Sequence, residues 1–297
     1  MSADPVVIAL DGSTPSAQAL RWGLDEAAFR GADVLLARAN CAPRKGAARR
    51  RRRLVGEDPG LDPEGEEYLA EQLERASARH PTVTIDTRLL HGPDVPDLPQ
   101  LSGVAQLLVI GSRGHAGRAW IGSFRGHLAA RAHCPVVVVP TGGGESPAPD
   151  APVVVGVDGS SASFAVARIA AREASLRKVQ LVVVHAHPTA AGTYGRRMPA
   201  LARLPEYGID ESSPTHRTIK DMTDRLRGEY PGLHVHFKFV DDEPVHALVV
   251  AACNAQLLVV GSRGLGTFGG MLLGAVSNAV VRDGTCTVLV MHDGTIG

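Results

Sequence analysis

Short runs of consecutive apolar residues recur along this chain, separated by stretches with a helical period. Val6–Leu10 reads VVIAL and predicts a strand buried on both faces. Ser13 or Thr14 can cap the helix that follows, with Pro15 in its first turn. Ala17, Leu20, Leu24 and Ala27 fall on one face of that helix, and Gly31 stops it. Further on, the pattern predicts strands at Val34–Ala37, Val83–Leu89 (alternating), Leu107–Ile110 and Val136–Val139. Helices are predicted near Glu64–Arg79, Leu98–Ala105 and Ser123–Ala132. The second half predicts strands at Val153–Val157, Leu181–Val184, Val235–Val240, Leu257–Val260 and Thr287–Val290. Strand, helix, strand, repeated, implies an α/β fold with a parallel sheet and helices on both faces.

The two halves also repeat each other. VVIALDGS (Val6–Ser13) returns as VVVGVDGS (Val153–Ser160), and AQLLVIGSRG from Ala105 returns as AQLLVVGSRG from Ala255. HCPVVVV from His133 is matched by TCTVLVM from Thr285. Three ordered matches, each offset by about 150 residues, indicate a duplicated domain. Residues 1–140 form the first copy and 153–297 the second. Between them TGGGESPAPDAP (141–152) is rich in Gly and Pro and reads as a linker.

Composition narrows the function classes. Of 297 residues, 44% are apolar and only 4% aromatic, so the cores are built from Val, Leu, Ile and Ala. Lys and Arg number 31, balanced by 31 Asp and Glu, which argues against a nucleic-acid partner. Cys41, Cys134, Cys253 and Cys286 form no CxxC pair, leaving zinc ribbons and thioredoxin chemistry unsupported. No N-terminal apolar stretch follows a basic start, and no run approaches a membrane span; a cytoplasmic protein without a membrane partner is expected. The basic run Arg44–Arg53 reads as a solvated loop, and His234 with His236 as a surface face, since two ligands do not make a zinc site. Cys134 and Cys286 occupy equivalent places before the last strand, which packing explains.

Two segments carry candidate chemistry. In doubly wound sheets, ligands sit outside the carboxyl ends of the strands. Asp11-Gly12-Ser13 and Asp158-Gly159-Ser160 end the first strand of each copy; the Asp can accept hydrogen bonds from a ribose or base. The ordinary alternative is a turn Asp before a helix cap. After the fourth strand, the second copy reads Gly261-Ser262-Arg263-Gly264, nine residues, then Gly274-Ala275-Val276-Ser277. The first reads Gly111-Ser112-Arg113-Gly114, seven residues, then Gly122-Ser123. Such glycines let backbone N–H groups approach phosphate, and the later Gly opens a helix whose N-terminus favours anions. A plain glycine turn with a helix cap is again the alternative.

With those residues in view, the chain resembles the universal stress protein family in its ATP-binding branch, marked by Gly-x2-Gly-x9-Gly-(Ser/Thr) after strand four and an Asp ending strand one. The resemblance implies two tandem doubly wound domains, each with a five-stranded parallel sheet of order 3-2-1-4-5. It places ATP, with Mg²⁺ as a possible companion, between strands one and four. By that match Asp158 meets the adenosine moiety and Ala186 touches adenine through its backbone. Gly261, Ser262, Arg263 and Gly264 line the phosphates, and Gly274, Ala275, Val276 and Ser277 cradle the terminal ones. The first copy offers Asp11, Ala39, Gly111, Arg113, Gly114, Gly122, Ser123 and Phe124. It has Ala9 where the second has Gly156, and Arg38 where the second has His185. Its phosphate loop is two residues shorter, while the second copy carries Ala275 in place of a hydroxyl residue, for which Ser277 could partly compensate. The resemblance also implies pairing of the last strands of the two domains, and a homodimer. No GxxxxGK[ST] loop exists, no Lys lies in either glycine loop, and no acidic residue lies between Gly261 and Ser277. A nucleotide-dependent regulator is therefore expected rather than an enzyme, with a weak ATP hydrolase or a nucleotide-free dimerisation scaffold as alternatives.

Overall fold

The computed structural model describes residues 4–39, 63–90, 97–112, 128, 131–141, 147–187, 206–207, 213–262 and 273–292. The chain divides into two compact units, Met1–Thr141 and Gly142–Gly297.

In the first unit, β1 (Val6–Leu10) leads into α1 (Thr14–Arg30), β2 (Val34–Ala39), α2 (Pro63–Arg79) and β3 (Ile85–Leu90). Then come α3 (Asp97–Leu101), a 3₁₀ turn (Ser102–Val104), β4 (Leu107–Gly111) and β5 (Val136–Val139). The strands lie in the order β3-β2-β1-β4-β5, every neighbouring pair parallel. Val6, Val7, Ile8, Leu108 and Val109 are wholly buried, as continuous apolar runs in a sheet covered on both faces require. β3 is an edge strand whose middle residues Asp86, Thr87 and Arg88 are exposed. It starts two residues later than the alternation suggests, because the Val83 N–H closes a turn onto the His80 carbonyl. The expected helix Leu98–Ala105 breaks at Ser102: its hydroxyl donates to the Pro99 carbonyl at 2.5 Å and accepts the His133 N–H at 2.8 Å. Of the expected helix Ser123–Ala132, only Leu128, Arg131 and Ala132 are described, and Leu128 is buried.

The second unit runs β6 (Val153–Gly156), α4 (Ser161–Arg177), β7 (Leu181–Ala186), β8 (Glu206–Tyr207), α5 (Pro214–Glu229), β9 (Val235–Val240), α6 (Pro244–Ala251), β10 (Leu257–Gly261), α7 (Ala275–Asp283) and β11 (Val288–Met291). Within it the order is β11-β10-β6-β7-β9-β8. The first five repeat the topology of the first unit with all pairs parallel. β8 adds an antiparallel edge pair, Glu206 opposite Val240 and Tyr207 opposite Phe239. Two residues carry no period, so this sixth strand left no pattern in the sequence.

The first helices of the two units end alike but with different residues. Gly31 caps α1 in the left-handed region at φ 62°, and Lys178 caps α4 at φ 55°. A side chain is disfavoured there by about 1–2 kcal/mol, partly offset by the extra unfolded-state freedom of glycine. Lys178→Gly is expected to stabilise the second unit by about 0.5–1 kcal/mol, read as a raised midpoint in calorimetry.

Candidate functional site

At the carboxyl end of β1 the chain must turn at once into α1. The Asp11 carboxylate accepts the Ser13 N–H at 2.9 Å and the Ser13 hydroxyl at 2.5 Å, and Ser13 caps the helix by accepting the Ser16 N–H. The second unit repeats the device. Asp158 accepts the Ser160 N–H at 3.0 Å, and Ser160 accepts the Ser163 N–H at 3.1 Å. Between Asp and Ser stand Gly12 at φ 80° and Gly159 at φ 86°, a conformation that L side chains rarely adopt. The turn reading is thus present in both units. One oxygen of each half-buried carboxylate is held by the turn, which fixes the direction of the group.

Register brings the remaining candidates alongside. Leu10 pairs with Arg38, so one residue on Asp11 stands level with Ala39. Gly156 pairs with Val184, so two residues on Asp158 stands level with Ala186. Val155 pairs with Val259 on the other side, which sets Gly261 level with Val157. Adjacent parallel strands lie about 4.8 Å apart, so the Asp, Ala and Gly of each unit crown three neighbouring strand ends.

The strand-four ends show what their glycines answer to. A Cβ on Gly111 would fall 2.5 Å from the carbonyl carbon and oxygen of Pro15, so the first turn of α1 occupies that direction. A Cβ on Gly156 would fall 2.9 Å from Leu248 Cδ1, which accounts for the difference from Ala9 by packing against α6. In the second unit the Gly274 N–H donates to the Ser262 carbonyl at 2.7 Å, and the Ser277 hydroxyl donates to the Gly261 carbonyl at 2.5 Å. These bonds pin the start of α7 onto the end of β10. They also commit the Ser277 proton to the backbone, so this hydroxyl does not replace the one missing at Ala275. α7 begins at Gly274 without a side-chain cap, as α6 does at Glu243, whereas Ser13, Ser160 and Ser213 cap α1, α4 and α5. Its first N–H groups have no intrahelical acceptor, and they lie beside Ser262, whose buried hydroxyl has no hydrogen-bond partner among the described residues. An uncapped helix start and an orphaned hydroxyl fit an anion at this strand end. Arg113, Gly114, Gly122, Ser123, Phe124, Arg263 and Gly264 lie outside the described residues, as do Cys41 and the run Arg44–Arg53.

Two groups at the mouth escaped the sequence reading. In the first unit the Arg38 guanidinium stacks 4.5 Å above the ring of Tyr68, which leans over Gly12. Burial raises the Tyr68 pKa, against the opposing pull of Arg38. In the second unit His185 meets His216 and Phe239. Tyr68 and His216 come from helices after the most divergent segments, where the repeats share no register to align them.

The fold and its duplication agree with known proteins. The profile of the Universal stress protein family matches residues 3–140 and again 151–292. The chain belongs to the universal stress protein family. A universal stress protein of Mycobacterium tuberculosis is 33% identical over 296 residues, covering 96% of each chain. The crystal structure of a universal stress protein from Archaeoglobus fulgidus shares the fold, with a TM-score of 0.67 and 17% identity over 99% of this chain and all of the other. So does the cytoplasmic domain of a prokaryotic cation chloride cotransporter, with a TM-score of 0.56 and 11% identity over 99% of this chain and 97% of that one.

Other chemistry has little support in this universal stress protein. Burial pushes the Cys134 and Cys286 thiols up to about 12, so neither offers a thiolate at neutral pH. Among the described residues no group of three or more His, Cys, Asp or Glu could hold a metal ion, and His234 and His236 are both exposed. Nor, among those residues, is any helix long and apolar enough to cross a membrane. A cavity of about 450 Å³ in the second unit, lined in part by Pro152, Gln180, His236 and Lys238, opens at the amino ends of the strands, opposite the Asp158 turn.

Proposed function

We propose that each unit holds one adenine nucleotide, ATP in the first instance, at the carboxyl ends of its first and fourth strands, and that the protein acts as a nucleotide-dependent regulator in the cytoplasm, in the stress response. The observation that carries this reading is the uncapped α7 start pinned to Gly261-Ser262, one strand over from the Asp158 turn. In this reading Asp158 accepts from the ribose, Ala186 meets the base through its backbone, and the N–H groups opening α7 face the phosphates, with Mg²⁺ as a possible counter-ion. The first unit does the same with Asp11, Ala39 and Gly111.

The groups of the proposed phosphate site favour regulation over catalysis. Backbone N–H groups and a helix terminus bind ground-state phosphate, and only interactions stronger in the transition state accelerate a reaction. A positioned base contributes about 10²–10⁴-fold, and none lies between Gly261 and Ser277. Nucleotide retained by the purified protein is expected after denaturation, identified by absorbance and mass. Phosphate release with Mg²⁺ is expected at less than about one turnover per hour, far below the usual range of enzyme turnover. Many turnovers per minute, lost in a Gly114→Val, Gly264→Val double variant, would move the protein into the enzyme class. A homodimer belongs to the same reading; a monomer at every concentration in sedimentation would remove it.

A further inference from the structure

β3 leaves one edge of the first unit's sheet open. Among the described strands its one neighbour is β2, in parallel register from Val34 opposite Ile85 to Ala39 opposite Leu90. The Val34 N–H donates to the Thr84 carbonyl at 2.8 Å, which fixes the parity of this ladder. In a parallel pair each strand turns alternate residues toward its partner. The backbone groups of Asp86 and Arg88 therefore bond to β2, and those of Ile85, Thr87 and Leu89 turn outward. Such a row of outward N–H and C=O groups is a template for another strand. The second unit shows what the same edge accepts. There β9 takes the place of β3, with Val235 opposite Leu181 as Ile85 is opposite Val34, and β8 pairs with it antiparallel, Tyr207 opposite Phe239.

The side chains of β3 are complementary to themselves. Set antiparallel against a second β3 about Thr87, the strand brings Ile85 opposite Leu89 and Asp86 opposite Arg88. The outward groups of Ile85, Thr87 and Leu89 then exchange hydrogen bonds across the axis. Asp86 and Arg88 fall at the non-hydrogen-bonded positions, where opposite side chains come closest. Both are exposed, as is Thr87 between them. A slip of two residues either way keeps the backbone parity but sets Asp86 against Asp86 or Arg88 against Arg88. Like charges directly opposite are destabilising, so the charges select one register. β9 has no such pattern: His236 and Lys238 stand where β3 has Asp86 and Arg88.

We propose that the edge of β3 is a docking surface for a second copy of this chain: two first units pair β3 to β3, antiparallel about a two-fold axis at Thr87, with Asp86 facing the partner's Arg88 on either side of the axis. The inference rests on the homodimer of the proposed function and supplies its interface. A two-fold contact uses one patch twice, so the patch must complement itself, and this strand does. The contact is a single strand wide and its charges lie in water. The dimer is accordingly at the weak end of protein association and weakens further with salt.

The test is sedimentation equilibrium of the full chain over a wide concentration range. Asp86→Arg and Arg88→Asp each set like charges opposite one another across the axis, and each should weaken the dimer by about tenfold or more. The double variant Asp86→Arg, Arg88→Asp restores opposite charges in the same register and should regain the parent's affinity. An equimolar mixture of the two single variants should dimerise as well, because each then faces the opposite charge. Thr87→Pro removes an outward N–H and leaves the bonds to β2 in place. It should abolish the dimer with the unfolding midpoint near that of the parent, since an edge strand tolerates proline. A parent that stays monomeric at every concentration removes the homodimer and this interface with it. A dimer equally strong in both single variants uses another surface, which overturns the β3 interface alone. Hydrogen exchange tests the remaining occupant: the Ile85, Thr87 and Leu89 amides should exchange freely in dilute protein and gain protection on dimerisation. Protection already present in the monomer would place a segment of the same chain on this edge and overturn the proposal.

Discussion

Gly111→Ala is expected to destabilise the first unit by about 3 kcal/mol, lowering its unfolding midpoint by about 10 °C, with no ligand present. The added methyl would sit 2.5 Å from the Pro15 carbonyl carbon and oxygen. Those are backbone atoms in the first turn of a helix whose start is tied by Ser13 and Asp11, so they cannot rotate aside as a side-chain tip could. Relief requires lifting α1 from the end of β4, or shifting β4 in the sheet. Gly103, around which a Cβ would meet nothing within 4 Å, is the control, and Gly103→Ala should change stability by no more than about 0.5 kcal/mol. Calorimetry on the two variants separates the cases. Equal midpoints would mean that the strand-four glycine is there for a ligand alone.

The second large effect concerns binding and spares the fold. Asp158→Asn keeps an oxygen to accept the Ser160 N–H, so the turn and the cap of α4 should persist, with the midpoint within about 1 °C of the parent. What is lost is the carboxylate charge that, in the proposed nucleotide site, would accept from the ribose hydroxyls. Hydrogen bonds to charged groups contribute about 1.5–3 kcal/mol, so ATP affinity at the second site should fall by about 10–100-fold. Asp158→Ala loses the turn as well and should lower the midpoint too. If Asp158→Asn bound ATP like the parent, Asp158 would be a turn residue and nothing more.

How far the sequence carried the account depended on repetition. Val6–Leu10 could be delimited because buried strands are written as apolar runs, and Val235–Val240 because Val235, Phe237 and Phe239 alternate with His236 and Lys238; the second copy checks the first. The Asp turns and the Gly-Ser strand ends were visible for the same reason. Long-range packing was not visible. That the direction of a Cβ on Gly111 is filled by Pro15, and that on Gly156 by Leu248, depends on where a helix lands on the sheet, which no local pattern encodes. Ser277 illustrates the same limit: its type suited a phosphate ligand, while its hydroxyl closes onto Gly261. His185 was legible only as a mismatch with Arg38, because its partners His216 and Phe239 come from two later elements. Fold alone also leaves function open, since a transporter's cytoplasmic domain shares this architecture.

Equilibrium titration of the intact chain with ATP, by calorimetry at neutral pH, tests whether each unit holds a nucleotide. Two sites per chain with unequal affinities are expected, the second unit's site identified by loss of its heat in Asp158→Asn. Absence of saturable heat at millimolar ATP, from protein shown to be free of retained nucleotide, would contradict this expectation.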